Sequence, residues 1–259
     1  MTRRQLGVGV GVGSRQGWLL SFVVPAHNEE VLLGRTLQSI EQACRGVTAS
    51  HEVIVVDDAS MDRTAEIAGR QGARVIRVNL RQIGAVRNAG AQHAQGDVLF
   101  FVDADTVVPS VTLAAALNAL RQGAVGGGAL VGYEGRQAGW ARMLLWTWNW
   151  LSRFRRWAAG CFIFVRREAF CEMGGFDARY FAAEELVLSD ALKPHGRFVI
   201  LCERVFTSPR KAHTFSLGEV ARIMARTALR GPKVLQRREG LELWYERREP
   251  QPNNEFAGS

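Results

Sequence analysis

The residues best suited to chemistry are two aspartates separated by a single residue, Asp103 and Asp105. They follow an apolar run at 98–102 that is typical of a buried strand. Two carboxylates at a strand end can face one cation, and their hard oxygen atoms suit Mg²⁺ or Mn²⁺, which also bind diphosphate oxygens. Such an ion would stabilise the charge that develops on a diphosphate leaving group. The alternative interpretation is an ordinary loop ahead of the helix that Pro109 opens.

Two earlier apolar runs also end in polar residues. The first leads into residues 25–29 (PAHNE), and the second ends in Asp57 and Asp58. Loops are polar, so acids after one strand could arise by chance, but three successive cases indicate one shared site. Ligands of parallel sheets bind beyond the carboxyl ends of the strands. We therefore expect these three segments to meet at one edge of a sheet.

Apolar runs alternate with amphipathic segments along the chain, which predicts strands connected by helices. This order predicts an α/β fold with a mainly parallel, Rossmann-like sheet and helices on both faces. The predicted strands cover 19–25, 51–58, 73–79, 96–105, 126–135 and 197–206. The predicted helices cover 29–44, 62–70, 84–94, 109–123, 138–155 and 182–196, and 158–170 is predicted as a strand leading into a short helix.

The composition is that of a globular protein with an excess of arginine. Of 259 residues, 47% are hydrophobic, and the formal net charge is +8. This charge favours anionic partners (nucleic acid, acidic lipid or a phosphate-bearing substrate), and composition does not choose among them. The four cysteines form no close pair, which predicts reduced thiols in a cytoplasmic protein. The chain has no run of about 18 apolar residues, so no membrane span is predicted.

We expect one domain with a short segment at each end. Residues 1–17 contain the run GVGVGVGS and lack the features of a secretory signal, which predicts a flexible leader. Residues 18–245 are predicted to form the domain. The polar, proline- and asparagine-containing stretch 246–259 is predicted to be a disordered tail.

Four motifs together resemble those of the family 2 glycosyltransferases in their order and spacing. They are SFVVPAHNEE (21–30), VIVVDDASMDRT (53–64), GAVRNAGAQHAQGDVLFFVDADT (84–106) and GGFDARYFAAEELVLSDALKPHG (174–196). The resemblance extends over residues 20–210. It implies a GT-A fold and the transfer of a sugar from a nucleotide donor with inversion at the anomeric carbon.

The resemblance also implies which residues bind the nucleotide. Pro25, Asn28 and Glu29 would line the nucleoside pocket, and Asp58 would accept hydrogen bonds from the base, usually uracil. Arg87 would lie near the nucleotide, and a salt bridge to a neighbouring acid is its alternative role. The implied donor is a UDP-sugar.

The metal and diphosphate sites follow from the same resemblance. Asp103 would contact the ribose or the metal, and Asp105 would be the firmer metal ligand. His213 would be a further metal ligand, because some GT-A enzymes use a histidine late in the chain; a surface position is the alternative. Arg210 and Lys211 beside it would neutralise the diphosphate.

Glu184 and Glu185 stand where the family has the general base, which removes the proton of the acceptor hydroxyl as that hydroxyl attacks. The family usually has a Glu-Asp pair at the start of a helix with a leucine at a fixed offset, and here Leu188 follows. Glu185 replaces the usual aspartate, so its carboxylate reaches one methylene further. Glu184 remains the other candidate for the base. Two solvated glutamates stabilised by the helix dipole are the alternative interpretation.

Residues 140–157 hold five of the seven tryptophans together with several arginines. Tryptophan with arginine suits a membrane interface, whereas the helical spacing of Trp140, Leu144, Trp148 and Leu151 suits packing against a core. Both interpretations stay open. An interfacial helix would place the protein at the inner face of an anionic membrane and would suit a lipid-linked hydroxyl acceptor.

The sequence therefore predicts an inverting glycosyltransferase that uses a nucleotide sugar and a divalent metal, with no nucleic acid as a partner. A nucleotidyltransferase of related architecture is one alternative, but it would carry a basic, glycine-rich phosphate loop where this chain has PAHNEE. A non-catalytic sugar-nucleotide-binding or nucleic-acid-binding protein is the other, and the retained carboxylates at 105 and 185 argue against it.

Overall fold

The chain folds around one β-sheet, which a computed structural model describes over residues 17–135 and 139–208. The strands described there are β1 (Leu19–Ala26), β2 (Ser50–Asp58), β3 (Arg74–Val78), β4 (Val98–Val102), β5 (Thr106–Val107), β6 (Ala124–Tyr133), β7 (Phe162–Arg166) and β8 (Arg197–Thr207). The helices are α1 (Leu33–Arg45), α2 (Thr64–Arg70), α3 (Ile83–His93), α4 (Ser110–Arg121), α5 (Gly139–Arg155), α6 (Arg167–Glu172) and α7 (Glu184–Leu192). A short 3₁₀ turn, Lys193–His195, follows α7.

The strands lie in the order β3-β2-β1-β4-β7-β6-β8-β5. The first four are mutually parallel, and β6 is parallel to β8. Strand β7 runs antiparallel between β4 and β6, and β5 runs antiparallel to β8. Six of the eight described strands therefore share one direction. Helices α1, α2 and α3 return the chain between β1 and β4, which keeps these strands parallel. The predicted α/β architecture is confirmed.

Alternate residues of the central strands face two separate cores. In β1, Phe22 and Val24 belong to the core beneath α1 and α4, while Val23 belongs to the core beneath α3 and α7. Phe100 and Phe101 of β4 divide in the same way. Both faces of these strands are covered by helices, so nearly all of their residues are apolar; Ser21 of β1 is the buried polar exception.

The carboxyl ends of the parallel strands meet at one edge of the sheet. Ala26, at the end of β1, lies opposite Asp57, and Asp58 lies opposite Val78 at the end of β3. The register therefore brings the polar segment after β1 beside the acids that end β2, as the strand pattern predicts.

Helix α1 begins later than its apolar pattern predicts. The predicted helix starts at Glu29, whereas α1 begins at Leu33. The residues between form turns, and the backbone N–H of Glu29 donates to Oγ1 of Thr64 at 2.7 Å. This contact with the first residue of α2 overrides the local helical preference, which is a weak determinant where tertiary contacts compete.

The tryptophan-rich helix α5 is fixed to strand β6 by one side chain. Nδ2 of Asn149 donates to the carbonyl oxygen of Val131 at 2.9 Å, and its Oδ1 accepts from the N–H of Val131 at 3.0 Å. The side chain of Asn149 therefore makes the two hydrogen bonds with the Val131 backbone that a neighbouring strand would otherwise make. Leu145 and Trp148 on the same helix pack against the core.

Asn149→Leu should destabilise the fold, because it leaves the buried N–H and C=O of Val131 without partners. We expect the free energy of unfolding to fall by about 2 kcal/mol, within the range of about 1–3 kcal/mol for buried groups that lose their hydrogen bonds. Urea unfolding measures the change. Thr147→Ala, at an exposed position of the same helix, is the control and should shift stability by less than about 0.5 kcal/mol. An equal loss in both variants would contradict the role of Asn149.

The predicted terminal segments lie largely outside the described residues. The predicted tail 246–259 lies there entirely, and so does the predicted leader 1–17 except for Gly17. Within the part of the chain that the structure describes, no helix has the length and apolar character needed to cross a membrane.

Candidate active site

The acid pair lies in a tight turn directly after β4. The hydroxyl of Thr36 in α1 donates to the carbonyl oxygen of Ala104 at 2.8 Å. On the other side, the hydroxyl of Thr207 at the end of β8 donates to Oδ1 of Asp105 at 3.2 Å. Asp103 and Asp105 are both partly exposed. Two other elements therefore hold the turn, and with it both carboxylates, at the carboxyl edge of the sheet within reach of a ligand.

Arg87, on α3, is the centre of an ionic cluster beside this turn. Only 2% of its side chain is exposed. Its Nη2 donates to Oδ1 of Asp103 and to the carbonyl oxygen of Gly160, both at 2.9 Å, and its Nη1 donates to Oε1 of Glu184 at 2.6 Å. Burial opposes the charge of the guanidinium, but Asp103 and Glu184 outweigh it, so the pKa of Arg87 lies above its ordinary value. Arg87 thus forms the salt bridges that were the alternative to a nucleotide contact.

The two glutamates in the first turn of α7 have different surroundings. Glu184 is buried and paired with Arg87; burial raises its pKa, and the contact with Arg87 opposes that rise. Glu185 is partly exposed as a residue, but removal of its carboxyl group from water, followed by the charge of Glu184, raises its pKa to about 8. One guanidinium here faces three carboxyl groups, including that of Asp103. Asp103 and Glu184 each accept a hydrogen bond from Arg87, whereas Glu185 does not.

The loops that follow β1, β2 and β3 are tied together on the side predicted to bind the nucleotide. Asn28 has a left-handed backbone (φ 54°), its N–H donates to Oγ of Ser60 at 2.8 Å, and its Oδ1 accepts from the N–H of Met61 at 2.7 Å. Nε2 of His27 lies 2.9 Å from Nη1 of Arg81. The predicted pocket residues after β1 therefore form part of a preorganised wall.

Asp58 and Pro25, both predicted to line the nucleoside pocket, have structural contacts of their own. Pro25 is buried in β1 opposite Val56. The two carboxylate oxygens of buried Asp58 accept hydrogen bonds from the N–H groups of Leu80 and Arg81, at 2.7 and 2.9 Å. Each carboxylate oxygen can accept a second hydrogen bond, so this anchoring is compatible with the predicted contact to a base. The nucleotide roles of these residues remain predictions.

The donor set at the end of β4 suits a hard divalent cation. Mg²⁺ commonly takes one or two carboxylates and completes its shell with substrate phosphates and water. Asp103 and Asp105 provide two such carboxylates, although Oδ1 of Asp103 is also paired with Arg87. Among the described residues, no group of three or more His, Cys, Asp or Glu side chains is arranged to hold a metal. A substrate-completed Mg²⁺ or Mn²⁺ site therefore fits better than an all-protein cage.

Three further predicted residues, Arg210, Lys211 and His213, lie outside the described residues. The last described residue, Ser208, donates its N–H to the carbonyl oxygen of Asp105 at 3.2 Å. The chain thus passes the acid pair two residues before Arg210. The diphosphate and metal roles of these three residues remain predictions.

Sequence reasoning did not identify Gly160 or the loop 156–160 that carries it. The Gly160 carbonyl accepts a hydrogen bond from Arg87, and a β-carbon at this position would lie 3.1 Å from Nη2 of that arginine. The loop is fixed to α7, because the N–H of Ala158 donates to Oγ of Ser189 at 3.0 Å. The sequence places Gly160 within the strand predicted to start at residue 158, whereas β7 begins at Phe162. A glycine at this point is a local signal for a close approach, but it does not tell which side chain approaches.

Comparison with protein families identifies the class. The model described as Glycosyl transferase family 2 matches residues 21–178, which is more than half of the chain. This stretch contains most of β1, all of β2, β3 and β4, the arginine of the ionic cluster and both aspartates. The chain therefore belongs to glycosyl transferase family 2, and the predicted membership is confirmed.

The relatives with assigned names are similar over part of the chain. An undecaprenyl-phosphate 4-deoxy-4-formamido-L-arabinose transferase of Pseudomonas paraeruginosa is 40% identical over 98 residues, 35% of this chain and 29% of the relative. A 4,4'-diaponeurosporenoate glycosyltransferase of Staphylococcus haemolyticus is 40% identical over 93 residues, 33% of this chain and 24% of the relative. The matched stretch thus spans less than a third of the length of either relative.

Solved structures share the fold at low sequence identity. A mannosyltransferase of Pyrobaculum calidifontis, in complex with GDP-Man and Mn²⁺, has a TM-score of 0.62 at 21% identity and covers 86% of this chain and 64% of its own. TarS of S. aureus, in complex with UDP-GlcNAc, has a TM-score of 0.57 at 19% identity and covers 73% of this chain and 58% of its own. These similarities confirm the predicted GT-A fold.

Proposed function

We propose that the protein is an inverting glycosyltransferase that transfers a sugar from a UDP-linked donor to a hydroxyl group of a lipid-linked acceptor. The observation that carries the proposal is the Arg87 cluster, because it brings Asp103 of the acid pair and the glutamates of α7 around one guanidinium. A donor diphosphate bound through a metal at the acid pair and a base at Glu185 would then act in a single site. Family membership supports the reaction class, and the lipid in the names of two relatives supports the acceptor class.

The reaction needs a group that takes a proton from the acceptor hydroxyl. In the proposed mechanism Glu185, in its ionised form, takes this proton while the hydroxyl oxygen attacks the anomeric carbon and the bond from that carbon to the diphosphate oxygen breaks. Attack from the face opposite the leaving group inverts the configuration. Glu184 is poorly placed to serve as the base, because its Oε1 accepts a hydrogen bond from Arg87 at 2.6 Å and its Oε2 is buried away from an incoming acceptor.

The departing diphosphate needs positive charge. Asp103 and Asp105 would hold a Mg²⁺ or Mn²⁺ ion, which supplies that charge when bound. Arg87 keeps the carboxylate of Asp103 in a fixed orientation through a hydrogen bond of 2.9 Å. Asn28, Glu29 and the loop that Asp58 anchors would position the nucleoside.

A lipid phosphate is the second candidate acceptor. It is favoured by the undecaprenyl-phosphate transferases among the relatives. A phosphate is already ionised at neutral pH and needs no general base, whereas a hydroxyl does. The ionisable carboxyl of Glu185 next to the ionic cluster therefore favours the hydroxyl, and the two candidates differ in how they respond to loss of that carboxyl.

The donor site is tested by calorimetry with UDP and Mn²⁺. We expect wild-type protein to bind UDP only when the metal is present, and Asp105→Asn to reduce that affinity by at least about tenfold, because it removes one charged ligand. Asp97→Asn is the matched control: Asp97 lies at the opposite end of β4, where its carboxylate accepts a hydrogen bond from Leu19. Undiminished metal-dependent binding by Asp105→Asn would remove the proposed metal site.

The identity of the nucleobase in the donor is tested by thermal stabilisation with a panel of nucleotides. A ligand that binds the folded protein raises its melting temperature in proportion to RT ln(1 + [L]/Kd). We expect UDP and UDP-sugars to stabilise more than GDP and GDP-mannose at equal concentration and in the presence of Mn²⁺. A larger effect of the guanine nucleotides would replace the UDP assignment with a GDP-sugar.

A further inference from the structure

Helix α5 presents a continuous row of large apolar side chains to solvent. Met143, Trp146, Trp150 and Phe154 expose 65%, 69%, 59% and 72% of their surface. Trp150 and Phe154 stack with ring centroids 5.7 Å apart. Their spacings of three, four and four residues place all four on one side of the helix. We call these four residues the outer stripe.

The opposite side of α5 is packed on the fold. Leu145 and Trp148 contact the core, Ser152 is buried, and Asn149 is bonded to β6. The packing interpretation therefore holds for one face of this helix, and the membrane interpretation remains a hypothesis for the other. The face with Trp148 is the packed one, and the outer stripe is not needed to hold the helix in place.

The charged residues in the stretch of chain that carries the outer stripe have one sign. No aspartate or glutamate occurs between residues 135 and 167, while Arg142 and Arg153 are exposed on α5 beside the stripe. The chain as a whole carries a formal net charge of +8. Exposed tryptophan, phenylalanine and methionine flanked by arginine match a surface with an apolar interior and anionic headgroups.

We propose that the outer stripe of α5 docks the protein on an anionic lipid surface, with Arg142 and Arg153 contacting lipid phosphates. The proposal is independent of the donor site. It deepens the proposed function in one respect, since it rests on that function for the idea that the bound lipid surface contains the acceptor.

Docking through α5 would bring the candidate base close to the lipid. The helix leads directly into the loop 156–160, in which the indole N–H of Trp157 donates to Oδ1 of Asp190 in α7 at 2.9 Å. The same loop ends at Gly160, whose carbonyl accepts a hydrogen bond from Arg87. One rigid connection therefore links the lipid-facing helix with the helix that carries Glu185.

Co-sedimentation with vesicles tests the proposal on the full-length protein. One set of vesicles consists of phosphatidylcholine alone, and the other of equal amounts of phosphatidylcholine and phosphatidylglycerol. We expect the protein to sediment with the anionic vesicles at low salt, to be released at high salt, and to remain in the supernatant with phosphatidylcholine alone.

Two variants should weaken binding to the anionic vesicles. Trp150→Ala should lower partitioning by about tenfold, because it removes a large apolar side chain from the interface. Arg153→Glu should lower it by at least about fivefold, the factor that one cation contributes near an anionic surface. The matched controls are Val111→Ala, a 65% exposed apolar residue of α4, and Arg45→Glu, an exposed arginine at the end of α1, and both should bind as wild type.

Several outcomes would overturn the docking proposal. They are equal recovery in the supernatant with both vesicle types, equal binding to both, or equal losses in the variants and their controls. If acrylamide quenches the tryptophan fluorescence of the free protein slowly, a segment of the chain covers the stripe. If the protein is a dimer that Trp150→Ala dissociates, the stripe is an interface between two copies. Asp105→Asn should bind vesicles as wild type does, so failure of the donor site and failure of docking remain distinguishable.

Discussion

Glu185→Gln is expected to lower turnover by about 10²–10⁴-fold while the protein stays folded and binds the donor with nearly unchanged affinity. Glutamine keeps the shape of the side chain but cannot take up a proton, and general-base catalysis contributes about this factor. Release of UDP from a UDP-sugar, with a lipid extract as the source of acceptor, measures turnover. Calorimetry with UDP and Mn²⁺ measures donor affinity on the same sample.

Two control variants separate the glutamates from each other. Glu185→Asp, which restores the residue usual in the family, should keep part of the activity that Glu185→Gln loses. Glu184→Gln should act mainly on stability, because Glu184 is buried and paired with Arg87. A folded Glu184→Gln variant that loses turnover while Glu185→Gln keeps it would reverse the assignment.

The pH dependence of kcat/KM gives a second readout of the same residue. The pKa of Glu185 is raised to about 8, so at neutral pH the carboxyl is mostly protonated, and only its ionised form acts as a base. We expect kcat/KM to rise with pH through about 8, and this rise to be absent from Glu185→Gln. A raised pKa also means that the folded state binds the proton more tightly, so stability should fall as pH rises towards 8. The stability of the Glu185→Gln variant should depend less on pH than that of the wild type.

The same experiment decides between the two acceptors. If the acceptor is a lipid phosphate, no proton has to be removed, and Glu185→Gln should leave turnover and its pH profile nearly unchanged. That result would overturn the hydroxyl acceptor while leaving the donor site and family membership intact.

Arg87→Met should produce the largest loss of stability of any single change in the site, about 3–5 kcal/mol. Methionine is apolar and of similar length, so the substitution leaves the buried carboxyl of Glu184 without its cation, and breaking a buried ion pair from one side costs about this much. Both side chains of the pair are almost fully buried, which makes the site sensitive to this change. Urea unfolding at neutral pH measures the loss.

The exposed pair Arg35–Glu134 supplies the control. The side chain of Arg35 is 59% exposed, so Arg35→Met should cost no more than about 1 kcal/mol. The double variant Arg87→Met/Glu184→Leu should recover part of the stability, because no buried charge is left at position 184. Equal stabilities of Arg87→Met and Arg35→Met would show that the buried cluster contributes little to folding.

Local sequence patterns determined the layers of the fold and the edge at which its chemistry lies. Uninterrupted apolar runs predict strands that are covered on both faces, and Phe100 and Phe101 do face the two cores. The polar residues that follow these runs predict the carboxyl edge, because parallel strands end together. Helical periodicity likewise predicted α5 almost to the residue, from the pattern between 138 and 155.

Only the tertiary structure decided how the charged residues are paired. Arg87 meets Asp103 from 16 positions away and Glu184 from 97 positions away, and no pattern along the chain encodes such distances. Desolvation and Coulomb interactions depend on distances in space. The different surroundings of the Glu184 and Glu185 carboxyl groups can therefore be read only from the tertiary structure. Helical periodicity likewise indicated that α5 has two faces without telling which one is packed. The contact of Trp148 with the core shows which face is packed and which remains exposed.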